Sequence, residues 1–213
     1  MITFIRDSKV VKWIIYIFIA IMGLGIIGSL LNPYFEHKTQ TMLNNLKVNF
    51  DYQIEKSISE NKYNNLIEKL ITEKEFEQAI QLTINMINKY PEDKAIYKNQ
   101  MGRIYFLEGD ITLSIVNYNE SIKICDTLYE AYINRGISNL EINNVDEAIK
   151  DFKFVSTKRY DSFYLLGEAY EKKGKILDAI ISYINYSKYY TKDENVKLKI
   201  DSLRRLRLIK NAL

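Results

Sequence analysis

Apolar residues follow two regimes along this chain. From Val10 to Leu31 they run almost without interruption, VVKWIIYIFIAIMGLGIIGSLL, and Lys12 is the one charge among these 22 residues. Beyond residue 40 they recur every three or four positions, the period of a helix with one buried face. As a helix the first stretch rises about 33 Å, against a bilayer core of about 30 Å. Trp13 and Tyr16 suit one membrane interface, Tyr34 and Phe35 the other. Asn32-Pro33 would end the helix, because proline lacks an N–H and restricts its predecessor. The pattern predicts a transmembrane anchor at 10–31 behind a short tail at 1–9. A cleaved signal peptide is the rival reading, with Arg6, Lys9 and Lys12 as its basic end. The apolar run is long for that role, and Ile27-Gly28-Ser29 makes a poor cleavage site. Three basic residues stand at the N-terminal end of the span and two, Lys38 and Lys47, follow it. That difference of one charge predicts a single-pass protein of the cell membrane, its N-terminus cytoplasmic and its C-terminal domain extracytoplasmic.

In the second regime, Met42, Leu46, Phe50, Ile54 and Ile58 recur every four residues. They predict an amphipathic juxtamembrane helix within 32–59. Ser57-x-x-Glu60 has the form of a capping box, so a new helix is expected to start nearby. At the far end Val196, Leu198, Ile200, Leu203, Leu206 and Ile209 predict a capping helix within 194–213. Its other face carries Lys197, Lys199, Arg204, Arg205, Arg207 and Lys210. A solvated face is the plain reading of those cations; contact with anionic lipid or nucleic acid is the alternative.

The intervening chain is self-similar. Gly102 and Gly136 lie 34 residues apart, and Gly136 and Gly167 lie 31 apart. About twelve residues after each comes a small residue, then an aromatic four later: Ser114 and Tyr118, Ala148 and Phe152, Ala179 and Tyr183. Leu166, Gly167, Tyr170, Ala179 and Tyr183 occupy successive positions of the W-x2-L-G-x2-Y…A-x3-F…P pattern, so the segment resembles the tetratricopeptide repeat (TPR). The sequence departs from that pattern where Lys98, Tyr132 and Phe163 replace its first Trp, and where Asn139 and Tyr186 stand. A degenerate first copy contains Tyr63, Leu66, Leu70, Ala79, Met86 and Pro91, with Ile67 for the glycine and Thr83 for the aromatic. Four repeats are expected, at 60–94, 95–128, 129–159 and 160–193. The resemblance implies an all-α chain, its anchor followed by a right-handed helical solenoid. Gly109, Asn143 and Gly174 fall where the first helix of a repeat must end, and each tolerates the left-handed conformation that closes a helix.

Composition narrows the function. With 8 Gly and 2 Pro in 213 residues, the chain lacks the turn-formers of a β-sandwich or a Gly-rich nucleotide fold. Gly23-Leu24-Gly25-Ile26-Ile27-Gly28 matches G-x-G-x-x-G in letters, but it lies inside the apolar run with no strand before it. Gly25 and Ser29 would let two spans approach closely, a route to a homo-dimer; incidental small residues facing lipid are the alternative. A lone Cys125 and a lone His37 supply neither a disulfide nor a multi-histidine metal site. A net charge of +3 is small for a nucleic-acid binder. No catalytic constellation, cofactor or metal is expected.

The resemblance implies a groove lined by the first helix of each repeat, where TPR domains hold segments of partner proteins. Its expected positions in the second repeat are Ile96, Asn99, Arg103 and Phe106. In the third they are Glu130, Ile133, Ile137 and Leu140, and in the fourth Asp161, Tyr164, Glu168 and Glu171. Asn99, Arg103, Phe106, Ile133, Ile137, Tyr164, Glu168 and Glu171 are the candidate contacts. The middle reads apolar and the far end acidic, which suits a ligand with an apolar anchor and a Lys/Arg-rich end. One TPR subtype clamps a terminal carboxylate with cations and asparagines. Asn64, Glu68, Asn99 and Arg103 would stand in those places here, with Asp161 and Leu165 where cations are needed, so that ligand is not expected. Arg135 is expected to pair with Asp151. The sequence thus reads as a membrane-anchored, non-catalytic adaptor for a protein or peptide ligand. The alternative is a structural or assembly subunit of a membrane complex, with contacts through its span and outer faces.

Overall fold

The structure is a computed structural model and describes residues 33–212. The tail at 1–9 and the expected span at 10–31 lie outside the described residues. Among those described, the backbone is almost wholly helical with no strand, and no helix is long and apolar enough to cross a membrane.

The chain divides into two units, one ending at Asn65 and the other running Leu66–Leu213. In the first unit the described part is one helix. It belongs to α1, Pro33–Thr72, which runs 40 residues across the unit boundary. The helix start expected near Ser57 is absent. The capping-box letters are there, but no Gly or Pro lies between residues 34 and 72 to break the helix.

The second unit follows with α2 (Phe76–Lys89), a 3-10 turn (Pro91–Asp93), α3 (Lys94–Glu108) and α4 (Ile111–Ile124). Then come α5 (Tyr129–Glu141), α6 (Val145–Ser156), α7 (Ser162–Lys172), α8 (Ile176–Ser187) and α9 (Glu194–Ala212). From α2 onward each helix packs on the next, and α3 also touches α5. This is the neighbour-to-neighbour packing of a helical solenoid.

One turn recurs four times. Lys74, Gly109, Asn143 and Gly174 have φ of 61°, 100°, 61° and 75°. In each case the following N–H reaches back five residues: Glu75 to Leu70 O (2.8 Å), Asp110 to Tyr105 O (2.9 Å), Asn144 to Asn139 O (2.7 Å) and Lys175 to Tyr170 O (2.9 Å). A left-handed residue followed by such a bond satisfies carbonyls the helix end would leave open. Glycine and asparagine were legible in this role; Lys74 was not.

The repeated glycines let rings lie flat against a helix. A Cβ on Gly102 would stand 2.5 Å from Tyr118 Cε1, one on Gly136 2.6 Å from Phe152 Cε1, and one on Gly167 2.6 Å from Tyr183 Cε1. All three rings are buried. In the first repeat the sizes are exchanged: Ile67 stands for the glycine and Thr83 for the aromatic, and both are wholly buried. Polar links add register between helices. Ser121 Oγ donates to Ala95 O at 2.7 Å, and the hydroxyls of Ser114 and Ser138 meet at 3.1 Å. Arg135 grips the buried Asp151 with two hydrogen bonds, 2.9 and 2.6 Å, and reaches Asn119 at 2.6 Å. The pairing expected from sequence is present, and it joins α5 to both α6 and α4.

Helix α9 closes the C-terminal end. Val196, Ile200 and Leu203 are buried with Ala179, Ile180 and Tyr183 of α8, and Tyr164, Tyr170 and Tyr186 pack around them.

Candidate functional site

The first helices of successive repeats carry the eight candidate residues, and all eight are half-buried. They form three groups.

The first group belongs to Arg103 on α3. Its guanidinium binds the carboxylate of Glu68, in the last turns of α1, through Nη1–Oε1 at 2.6 Å and Nη2–Oε2 at 3.0 Å. Hydrogen bonding to Arg103 holds the Glu68 carboxyl below its ordinary range. This is a bidentate, planar pairing, the geometry in which arginine best recognises a carboxylate. The expected groove cation is therefore occupied by a carboxylate of its own chain.

The second group is the middle of the row. Asn134 Nδ2 donates to Asn99 Oδ1 at 3.0 Å, joining α5 to α3. Asn99 keeps its own amide donors, and Asn134 keeps its carbonyl oxygen. Asn134 was not among the expected contacts, yet the sequence held a signal. Asn64, Asn99 and Asn134 recur at 35-residue intervals, and Glu68 and Arg103 are 35 apart as well. Ile133, next to Asn134 in sequence, is half-buried, as is Phe106 seven residues after Asn99. Ile137 is partly core, packed with Leu140 against the buried cluster of Ala148, Phe152, Leu166 and Ala169.

The third group sits on α7 and is closed by α9. Lys199 Nζ lies 2.9 Å from Glu171 Oε1 and 3.6 Å from Glu168 Oε1. It also stands 5.4 Å from the Tyr164 ring centre and 4.9 Å from that of Tyr183. Burial works against its charge, but the bond to Glu171 and the nearby acids hold the ammonium above its ordinary pKa. The Tyr183 hydroxyl donates to the same Glu171 carboxylate, and burial, with that bond, pushes Tyr183 up. The acidic end read from the sequence therefore carries its own counter-ion. Lys199 escaped that reading because it arrives from a helix about 30 residues further on.

The remaining expected positions follow the same rule. Arg159 pairs with Glu130 at 2.5 Å and with Asp161 at 2.7 Å, and the ammonium of Lys172 binds the Leu140 carbonyl. Ile96 is exposed. Among the described residues no group of three His, Cys, Asp or Glu side chains could hold a metal ion. The row is thus a surface of charge pairs closed within the chain, with aliphatic, aromatic and amide positions between them. It can offer shape, apolar contact and backbone hydrogen bonds to a polypeptide.

No family model matches the chain, and no curated protein matches it. Solved structures do. A crystal structure of MamA is 20% identical, with a TM-score of 0.58; the match covers 68% of this chain and 86% of that one. MamA 41-end from Desulfovibrio magneticus RS-1 is 15% identical, with 69% and 84% covered and a TM-score of 0.58. The first TPR of Spaghetti (RPAP3), bound to the HSP90 peptide SRMEEVD, is 16% identical, with 55% and 94% covered and a TM-score of 0.51. At these identities the likeness is one of fold, and the fold is of the TPR type.

Proposed function

We infer that the chain is a non-catalytic adaptor that holds a segment of a partner protein along the row formed by α3, α5 and α7. Residues 10–31 would fix it to a membrane. The observation that carries this reading is the middle of the row, where Asn99 and Asn134 join adjacent repeats and leave amide groups on the same two helices as half-buried Phe106, Ile133 and Ile137. A surface with no binding role gains little from placing open amide groups among partly covered aliphatic side chains. The RPAP3 domain of similar fold is bound to an HSP90 peptide, which supports a peptide as the ligand class.

The charge pairs refine the ligand. Glu68 already fills the Arg103 fork, and Lys199 already answers Glu168 and Glu171. A ligand that depends on a terminal carboxylate or on an arginine-rich end would have to displace these partners. An apolar helix or extended segment hydrogen-bonded through its backbone fits without displacing any.

The test is site-specific photo-crosslinking in native membranes from position 133, with position 150 on the exposed face of α6 as control. Crosslinks to one partner from position 133, lost in Asn99→Ala/Asn134→Ala, are expected. Equal crosslinking from position 150 would move the contact to the outer face and favour the structural-subunit reading.

A further inference from the structure

Helix α9 outlasts the solenoid it closes. Its buried contacts end at Leu203, and from Arg204 to Lys210 every side chain is exposed. This overhang reads RRLRLIK. It holds Arg204, Arg205, Arg207 and Lys210, and residues 202–213 contain no acidic side chain. Among the described residues, Arg204 has a weak partner in Asp201 at 3.4 Å, and Arg205, Arg207 and Lys210 have no carboxylate partner. Between the cations, Leu206, Leu208 and Ile209 are 40%, 70% and 59% exposed.

A solvated capping face mixes both signs of charge and keeps aliphatic side chains few. The first turns of α9 do so, with Glu194 beside Lys197, whereas the overhang does not. At the helical period Leu198, Leu206 and Ile209 fall on one stripe, opposite the buried Ile200, and Arg205 borders it. Cations alone would suit any polyanion, nucleic acid included. Three exposed aliphatics gain nothing from a phosphodiester backbone, but they gain from the boundary between lipid headgroups and acyl chains.

We propose that residues 204–210 dock on the surface of an anionic phospholipid bilayer. Leu206 and Ile209, with Leu198, enter the headgroup boundary. Arg205 and Lys210, which flank the stripe at the helical period, take lipid phosphates, while Arg204 and Arg207 share the face of Ile200 and stay in water. The aliphatic stems of Arg205 and Lys210 lie along the boundary with the charge held outward. The contact is independent of the expected span at 10–31. Where both are present they make a two-point attachment, and the second contact becomes intramolecular.

The full chain is tested with Cys125→Ser and Ser202→Cys, an environment-sensitive fluorophore being placed on the new thiol. Position 202 is exposed and falls on the stripe between Leu198 and Leu206, so the label leaves the core untouched. The protein is incorporated into vesicles of phosphatidylcholine alone, or with phosphatidylglycerol added. Blue-shifted emission, and quenching by nitroxide-bearing lipid, are expected on the anionic vesicles and should reverse in high salt. Each lysine or arginine near such a surface contributes about fivefold. Arg205→Gln/Lys210→Gln should therefore lower the docked-to-undocked ratio about 25-fold. Vesicle flotation in high salt reports on the span separately, so its failure is not confused with failure of the overhang. Equal emission on neutral and anionic vesicles overturns the proposal, as does an unchanged signal in the Arg205/Lys210 variant. A blue shift in detergent that grows with protein concentration overturns it in favour of a second copy of the chain.

Discussion

At the scale of single residues, the fold depends on where a side chain is missing. Gly136 admits the ring of Phe152, which is wholly buried among Ala148, Leu166 and Ala169 and has nowhere to retreat. Gly136→Ala gains about 1 kcal/mol of helix propensity. It also places a Cβ 2.6 Å from Phe152 Cε1 and 2.8 Å from Cζ, and overpacking of that kind costs about 1–3 kcal/mol. A net loss of about 1 kcal/mol is expected in urea unfolding. Shortening the ring reports the cause: Gly136→Ala/Phe152→Leu should be less destabilised than the sum of its single changes. Strict additivity would mean that the alanine acts through something other than this contact. The same arithmetic explains why the first repeat was hard to read. Ile67 and Thr83 reverse the large and small partners and are buried just the same. A pattern defined by glycine and an aromatic misses positions that are buried with other residue types.

At the scale of helices, local signals were legible and long-range ones were not. Gly109, Asn143 and Gly174 declared their turns because few residues accept positive φ. Lys74 adopts φ 61° without that advantage, so its residue type did not announce the turn. The capping-box letters at Ser57 did not start a helix, since a cap acts only where the chain leaves helical geometry. Arg135 and Asp151 could be matched from sequence because they lie on consecutive helices. The partners of Arg103 and Glu171 could not, because stacking decides which helices become neighbours. The Glu68–Arg103 pair offers a test of that stacking. Glu68 has its carboxyl pKa lowered in the folded chain, so it contributes stability above its unfolded pKa, near 4.5. That contribution is lost as pH falls through the lower folded value. The pair is largely exposed, and its worth is under about 1 kcal/mol. Glu68→Gln should therefore lower the urea midpoint slightly at pH 7 and leave it level with the parent chain in strong acid. An equal gap at both pH values would assign the effect to packing and not to charge.

For the whole molecule, quasi-one-dimensional packing decides how a local change spreads. Each helix from α2 to α9 rests chiefly on its sequence neighbours, so stability should divide into repeat and interface contributions. Helix α9 is a sensitive place to test this. It buries Val196, Ile200 and Leu203 against α8, and through Lys199 it also completes the charge balance of Glu168 and Glu171 on α7. Ile200 is 6% exposed, and Ile200→Ala should cost about 3 kcal/mol, about a hundredfold in the opening equilibrium. If opening is confined to neighbours, amide exchange should accelerate by about that factor in α8 and α9 and by less in α7. It should stay unchanged in α3 and α4. Uniform acceleration from α3 to α9 would show instead a single cooperative block. The distinction bears on function, because α7 presents Tyr164, Glu168 and Glu171 at one end of the proposed row. A graded solenoid would let docking of α9 on a membrane stiffen that end of the row and leave Asn99 and Asn134 unaffected. A single block would transmit the same event to every repeat.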